Sequence, residues 1–321
     1  MLPGKANNSM TPTPNLMNYR PWKGTLRPPV FGSFAMARAA LRLLLRRKLF
    51  WALYSLALMV FFFYFYMQYL VVWVQQQASD KTAMVAGVPV RISEFTKFLD
   101  RLNLNGTAHT FGNFIWFEGY VAMIVLALAG AILVGNDFHH GSLPFYLSKP
   151  IGRRHYILGK VLGIGAFVNL LTTIPAVVLF IQAGLLYDWQ TYYLDNWKLL
   201  AGILAYGAML TVVLSLLLVT TAVLVRRTVP LIMVWTGVFV LCRALAGFLA
   251  ENQRLGAQWR LMDLWNNLYL CGLYFLGADR SAAKTGFDQP PVWQAALVLV
   301  AVCAGCCLLL RKRVQAVEVV A

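Results

Sequence analysis

The residues best suited to a specific interaction lie in one connection, GNDFHHGSLPFYLSKPIGRRHYILGKVLG, which runs from Gly135 to Gly163. Its pattern predicts a short helix that ends before Pro150, since proline disfavours the helical conformation in the residue preceding it. Leu143, Tyr146 and Leu147 then share one helix face. Exposed apolar side chains on a short rigid helix are typical of a surface that docks into another protein's groove. The residues alone leave open a loop that dips into lipid headgroups instead.

Motifs for ordinary catalysis are missing from the 321 residues. There is no G-x-x-x-x-G-K-[ST] pattern to bind a nucleotide through a P-loop, and no H-E-x-x-H pattern. Cys303, Cys306 and Cys307 lack a second pair of ligands, so they predict helix packing rather than a metal site. We therefore expect no enzyme, metal site or cofactor in this chain. A membrane enzyme acting on lipids at the aromatic outer segment is a remaining alternative, for which no convergent acid, base or metal set is visible.

The elements that position this connection belong to a membrane protein. Apolar residues make up 60% of the chain and charged residues 12%, whereas soluble domains average about 45–50% and about 25%. With so few charges a soluble globule could not cover its surface with polar groups, and disordered chains carry far fewer apolar residues. The composition excludes both classes and predicts a polytopic membrane protein.

Six apolar runs are long enough to cross a hydrocarbon core of about 30 Å, which takes roughly 20 helical residues. Because lipid offers no partners to backbone groups, we expect these runs to be helices, and they lack the alternation of barrel strands. The predicted fold class is therefore an all-α integral membrane protein with six transmembrane helices. The predicted spans are Phe50–Val74, Phe114–Val134, Val161–Tyr187, Leu199–Val225, Val229–Ala250 and Val292–Leu310.

The distribution of charge predicts the orientation of these spans. Lys and Arg concentrate in the segments on one side, and only Asp137 and Glu318 among the acidic residues fall there. Basic segments face the cytoplasm, so both termini are predicted to be cytoplasmic. The formal net charge of +16 then reflects membrane orientation and attraction to anionic lipid heads, not nucleic-acid binding. We expect a multi-pass protein of the plasma or inner membrane.

The segments outside the spans have patterns of their own. Arg38, Arg42 and Arg46 repeat every four residues, which predicts an amphipathic helix in the inner headgroup plane, or alternatively an inner extension of the first span. The aromatic segment before the sixth span predicts a re-entrant or interface-lying stretch. Along the chain we expect a mobile cytoplasmic tail at 1–32, the amphipathic helix at 33–48, the transmembrane domain at 49–310 with an inner coupling loop at 135–160 and outer segments at 75–113 and 251–291, and a cytoplasmic tail at 311–321.

The connection between the second and third spans resembles the motif of a known family. The matching residues are Asp137, Gly141-Ser142-Leu143, Leu147-Ser148-Lys149-Pro150-Ile151, Arg153 and Lys160. They are similar to the inner-loop motif of ABC-2 type permeases of ATP-binding-cassette exporters: an acid, Gly-Thr-Leu, Leu-Leu-Ser, x-Pro-Val/Ile-x-Arg and a Lys entering the third span. The order of parts is also similar over most of residues 33–310. Pro144 and His139–His140 depart from the family pattern.

The resemblance implies a permease subunit of an exporter; its substrate is unidentified, and apolar spans with a single charge favour an amphiphile. ATP and Mg²⁺ would bind a separate cytoplasmic ATPase docked on the coupling loop, and two permease chains, identical or different, would pair among membrane lipids. The alternative is a non-transporting scaffold or assembly factor that binds a cytoplasmic partner through the same loop. The residues expected to contact the ATPase are Asp137, Gly141, Leu143, Phe145, Tyr146, Leu147, Pro150, Arg153 and Arg154.

Charged residues in or near the spans form a second candidate site. Arg243 lies inside the fifth predicted span, where a charge costs roughly 3 kcal/mol or more on insertion scales unless it pairs or reaches the interface. We expect Arg243 to pair with Glu118 or Glu251 or to reach the outer interface. In the functional alternative these residues line a cavity in which Arg243 meets an anionic group of the substrate.

Overall fold

A computed structural model describes most of the chain as helices. The residues it describes are 29–77, 83–85, 88–90, 104–130, 153–225, 227–253, 256–278 and 288–313. Six helices within these ranges are long and apolar enough to span a membrane, which confirms the predicted all-α fold class. They are numbered spans 1 to 6: Phe50–Gln75, Ala108–Leu128, Arg154–Leu186, Trp197–Val225, Thr228–Ala250 and Val292–Arg313.

A separate helix precedes span 1. Helix α1 covers Pro29–Leu45 and helix α2, which contains span 1, covers Lys48–Gln77. The chain turns between them at Arg46 and Arg47, so the alternative of one continuous helix is wrong. The predicted helix over 33–48 is thus present, but it begins four residues earlier, inside the segment predicted to be a tail.

The segment between spans 1 and 2 contains a short hairpin that the sequence did not predict. Strands β1 (Ala83–Val85) and β2 (Val88–Val90) pair antiparallel. Span 2 lies in helix α3 (Ala108–Gly130) and begins before the predicted Phe114. The prediction began the span at the first uninterrupted apolar residue. The helix starts earlier because it buries polar residues such as Asn113 inside the bundle.

Span 3 is broken near its middle. Helix α4 (Arg153–Leu171) and helix α5 (Thr173–Leu186) are separated by Thr172, whose φ and ψ are −108° and −64°. Pro175 has no backbone N–H and its ring crowds the carbonyl group four residues earlier, which belongs to Leu171. A proline at this place is the usual cause of a kink in a helix.

Span 4 follows a short helix, and span 5 is irregular. Helix α6 (Trp189–Asp195) leads into helix α7 (Trp197–Val225). Span 5 alternates between α-helical and π-helical turns, in which the backbone bond reaches one residue further than in an α-helix. Its parts are helix α8 (Thr228–Thr236), a first π segment (Gly237–Leu241), helix α9 (Cys242–Gly247) and a second π segment (Phe248–Asn252).

The segment between spans 5 and 6 folds back into the bundle. A 3-10 helix (Ala257–Met262) leads to helix α10 (Leu264–Leu276), and helix α11 (Val292–Arg313) forms span 6. Helix α10 packs against α3, α7 and α11 and buries most of its residues. The sequence predicts a re-entrant or interface-lying stretch here. In the structure the helix of this stretch, α10, is packed between the spans.

The core lies between spans 2, 3 and 4 and helix α10. Helix α7 contacts α3, α4, α5, α10 and α11, so it lies in the middle of the bundle. By contrast, only 22% of the apolar window of span 5 and 17% of that of span 6 are buried. Spans 5 and 6 therefore present broad apolar faces to lipid or to another chain.

Candidate functional site

Most of the predicted docking residues lie outside the described residues and stay predictions. The residues concerned are Asp137, Gly141, Leu143, Phe145, Tyr146, Leu147 and Pro150. Arg153 is the first residue of helix α4, and the side chain of Arg154 is exposed beside it. The structure thus describes the helix into which the predicted loop leads.

Helix α1 is fixed to the N-terminal end of α4 by close contacts at two glycines. A Cβ added to Gly159 would lie 2.9 Å from the carbonyl oxygen of Ser33, and one added to Gly163 would lie 3.1 Å from the Cβ of Ala40. Small residues allow this approach between helices in membranes. The Ser33 hydroxyl also donates a 2.8 Å hydrogen bond to the carbonyl oxygen of His155. A movement of the end of α4 would therefore carry α1 with it.

A polar network joins the two halves of span 3 to span 4. The side-chain amide of Asn169 donates a 2.7 Å hydrogen bond to Thr211 Oγ1, and Thr173 Oγ1 donates a 2.6 Å hydrogen bond to Asn169 Oδ1. Interhelical hydrogen bonds of this kind contribute about 0.6 kcal/mol each on average in membrane proteins. The break in span 3 is therefore bridged by side chains that also contact α7.

Glu118 is fully buried in α3. Neither of its carboxylate oxygens has a hydrogen-bond partner among the described residues. Among the described residues, Glu118 and Arg243 therefore form no hydrogen-bonded ion pair. The side chain of Glu251 lies outside the described side chains, so its pairing with Arg243 stays a prediction.

Arg243 contacts two aromatic rings instead. Its Cζ atom lies 5.5 Å from the ring centroid of Trp116 and 5.5 Å from that of Tyr120, both on α3. The two rings contact each other edge to face at 4.7 Å. A guanidinium group over an aromatic face gains about 0.5–2 kcal/mol, more as water is excluded. Arg243 is nevertheless exposed at the surface of the chain.

Asp263 lies beside this cluster and caps helix α10. Its Oδ1 accepts hydrogen bonds from the backbone N–H groups of Trp265 at 3.0 Å and Asn266 at 3.1 Å. Burial raises the pKa of Asp263, while these two hydrogen bonds and the positive charges of Arg243 and Arg260 oppose that rise. The carboxylate thus both starts the helix and lies within electrostatic reach of two arginines.

Two cavities lie along α10, but the described residues contain no metal centre. Within the described part of the chain, no group of three or more His, Cys, Asp or Glu is placed to hold a metal ion. Cys271, Cys303 and Cys307 line an apolar groove of about 620 Å³ between α7, α10 and α11. A second cavity of about 410 Å³, at the C-terminal end of α10, is lined by polar and aromatic side chains that include Tyr187 and Lys198.

The roles of Trp116, Tyr120 and Asp263 were not predicted from the sequence, although the local pattern indicates part of each. Trp116 and Tyr120 are four residues apart, which places them on one face of a helix. Asp263 directly precedes an apolar run, as an N-cap residue does. The contact between Trp116 and Arg243 joins residues far apart in sequence, and no local pattern predicts it.

The fold and these clusters define a polytopic α-helical membrane protein with a helix before span 1 and a further helix packed back into its bundle. The family model described as ABC-2 family transporter protein matches residues 35–308. The chain therefore belongs to the ABC-2 family of transporter proteins, and it is a membrane permease of the ATP-binding-cassette type. This match confirms the resemblance seen in the sequence. A comparison with curated proteins gave no match.

Proposed function

We propose that this permease works in an exporter whose ATP is hydrolysed by a separate cytoplasmic ATPase docked on residues 135–160. The observation that carries the proposal is the family match over residues 35–308, because it includes the loop together with spans 1 to 5 and most of span 6. The absence of a P-loop pattern from the 321 residues supports a nucleotide site on another subunit.

The geometry of span 3 supports a route for the movement. Closing of the ATPase on ATP would push the loop, which leads directly into α4. Because α4 is packed against α1 at Gly159 and Gly163, the two helices would tilt together. The break at Thr172 separates this half of span 3 from α5. A tilt of the first half therefore need not displace the second half by the same amount.

The same proposal includes a second permease chain, identical or different, in the plasma or inner membrane. Spans 5 and 6 supply wide unburied faces for such a partner and for lipid. The substrate we propose is amphiphilic, because the spans offer apolar surface with Arg243 as a charge exposed among them. Movement is from the cytoplasmic to the outer side, as the family resemblance implies.

Co-purification with an ATPase tests this function. The tagged permease is expressed in its own host and purified in mild detergent, and the proteins that remain bound are identified and assayed for ATP hydrolysis. We expect the ATPase to be retained and its activity to be changed by the permease. Leu147→Asp should abolish retention, because a charge cannot enter an apolar groove without a large desolvation cost.

Leu194→Asp provides the matched control, since Leu194 is a highly exposed leucine on α6, outside the loop. Its retention of the ATPase should equal that of the unaltered chain. Full retention by Leu147→Asp, with the protein still inserted, would contradict docking through this loop. Specific retention of a cytoplasmic protein without ATPase activity would favour the scaffold alternative.

A further inference from the structure

Arg243 is an exposed charge in the middle part of a membrane-spanning helix. Span 5 ends at Ala250, seven residues beyond Arg243, which corresponds to about 10 Å at 1.5 Å per residue. A cation at such a place faces the bundle interior, a partner chain or a water-filled cavity, or extends its side chain to the interface, because exposure to hydrocarbon is costly. The exposed guanidinium of Arg243 therefore requires a polar partner on the side where it is exposed.

The rings beneath the guanidinium fix its place without neutralising it. Trp116 and Tyr120 lie at equal distances of 5.5 Å from Arg243 Cζ. We call these two rings the shelf, and they belong to a larger aromatic cluster. The ring centroids of Tyr120 and Trp265 are 4.9 Å apart, and those of Trp265 and Phe239 are 6.2 Å apart. Such packing restricts the side chains, and a restricted arginine loses less freedom when it binds a ligand.

The described carboxylate within electrostatic reach of Arg243 already has another role. Asp263 lies within electrostatic reach of both Arg243 and Arg260, and one of its oxygens already caps α10. Glu118 directs neither of its oxygens to a hydrogen-bond donor among the described residues. Of the two arginines that Asp263 reaches, Arg260 is buried and Arg243 is exposed.

The backbone beside Arg243 is also irregular. Helix α9, which carries Arg243, is a single short stretch between the π segments Gly237–Leu241 and Phe248–Asn252. π-helical turns inside α-helices frequently mark functional sites. The residues exposed around Arg243 are apolar, and they include Leu241, Leu245 and Phe248. A ligand that contacts Arg243 would thus also contact apolar surface.

We propose that Arg243, held on the shelf formed by Trp116 and Tyr120, binds the anionic group of an amphiphile. The group is a phosphate, sulfonate or carboxylate, which the planar guanidinium binds through paired N–H donors. The apolar part of the ligand lies along the exposed face of span 5. Binding at this site does not depend on the proposed function, whereas the view of the ligand as exported cargo rests on that function.

Direct binding of a simple anionic amphiphile tests the site. The purified permease in maltoside micelles is titrated with dodecyl phosphate, and bound copies are counted by native mass spectrometry. Dodecyl phosphocholine, which is zwitterionic with the same tail, is the ligand control. Arg243→Gln should weaken the binding of dodecyl phosphate at least tenfold and leave that of dodecyl phosphocholine unchanged.

Matched variants separate the site from general electrostatics. Arg227→Gln removes an exposed arginine at the other end of span 5 and should leave both affinities unchanged. Arg243→Lys keeps the charge but loses the planar donors, so its affinity for dodecyl phosphate should lie between those of Arg243→Gln and the unaltered chain. If Arg243→Gln does not fold, Trp116→Leu replaces it and should weaken the binding of dodecyl phosphate without affecting dodecyl phosphocholine.

The source of the anion is distinguished in the same spectra. A phospholipid retained through purification, displaced by dodecyl phosphate and missing from Arg243→Gln identifies a membrane lipid as the occupant. A site that is free after purification and binds added dodecyl phosphate identifies a transient ligand such as cargo. Leu147→Asp should leave dodecyl phosphate binding intact, so a failure of ATPase docking would not imitate a failure of this site. Equal binding of dodecyl phosphate by Arg243→Gln and the unaltered chain, or an equal loss for both amphiphiles, would overturn the proposal.

Discussion

Helix α10 packs so closely on span 4 that one added methyl group should loosen it. A Cβ at Gly202 would collide with the carbonyl oxygen of Phe275 and would lie 2.9 Å from its carbonyl carbon and 3.0 Å from the Cα of Leu276. All three atoms belong to the backbone, so no side-chain rotation relieves the contact. Overpacking of this kind costs about 1–3 kcal/mol.

Alanine also stabilises a helix relative to glycine, and this gain must be subtracted from the measured stability change. A control variant in another helix measures the gain. Replacing Gly by Ala inside a helix gains about 0.8–1 kcal/mol by itself. Gly305 lies in span 6 with nothing within 4 Å of an added Cβ, so Gly305→Ala should show that gain alone. Gly202→Ala should therefore be less stable than Gly305→Ala by about 1–3 kcal/mol.

The assay is thermal or denaturant unfolding of both variants in the same detergent, followed by tryptophan fluorescence. Trp265 lies on α10, and replacing it by Phe in a parallel sample identifies its share of the signal from the ten tryptophans. Helix α10 should separate from α7 before the remaining bundle unfolds in Gly202→Ala. A Gly202→Ala protein as stable as Gly305→Ala would refute the close packing of α10 on span 4.

Three further predictions concern helix ends and contacts. Gly159→Ala should destabilise the contact of α1 with α4 by about 1–3 kcal/mol relative to Gly305→Ala, measured as earlier protease cleavage between α1 and α2; equal cleavage would contradict the contact. Asp263→Ala should cost about 0.5–2 kcal/mol of unfolding free energy because the N-cap of α10 is lost, while Asp263→Asn should keep the cap; equal stabilities of the two variants would contradict it. Burial raises the pKa of Asp263, so the folded state binds its proton more readily than the unfolded state, and the unaltered protein should gain stability relative to Asp263→Asn as the pH falls towards the ordinary value of 3.8. Parallel stability curves of the two proteins against pH would contradict this last prediction.

The six spans could be predicted because their signal is local. Each is an apolar run long enough to cross a membrane, and lipid leaves a helix as the only conformation for such a run. The ends of a span could not be predicted where the helix continues through buried polar residues. Asn113 precedes the apolar run of span 2 and therefore set its predicted start at Phe114. The helix nevertheless includes Asn113, because its side chain accepts a hydrogen bond from Tyr269 on α10. That partner is 156 residues away in the sequence.

The candidate site around Arg243 shows where sequence reasoning stops. The position of a charge inside span 5 was evident from the sequence, and the cost of a charge in hydrocarbon predicted that it has a polar partner or reaches the interface. Its partners were expected to be acidic, yet the structure places it on Trp116 and Tyr120. The choice between a carboxylate and an aromatic face depends on how spans 2 and 5 are rotated against each other, which no local pattern gives. The π segments of span 5 have no sequence signal that we recognise.

The most direct test of the proposed function is a photocrosslink from the loop itself. A photoreactive amino acid replaces Leu147 in the full-length permease, the cells are irradiated, and the adducts are identified by mass spectrometry. Replacement of Leu194, on α6, gives the background. We predict that the Leu147 position crosslinks to a cytoplasmic ATPase with a P-loop, whereas the Leu194 position does not. Adducts of the Leu147 position with lipid alone, or with proteins on the outer side of the membrane, would contradict a permease driven through this loop.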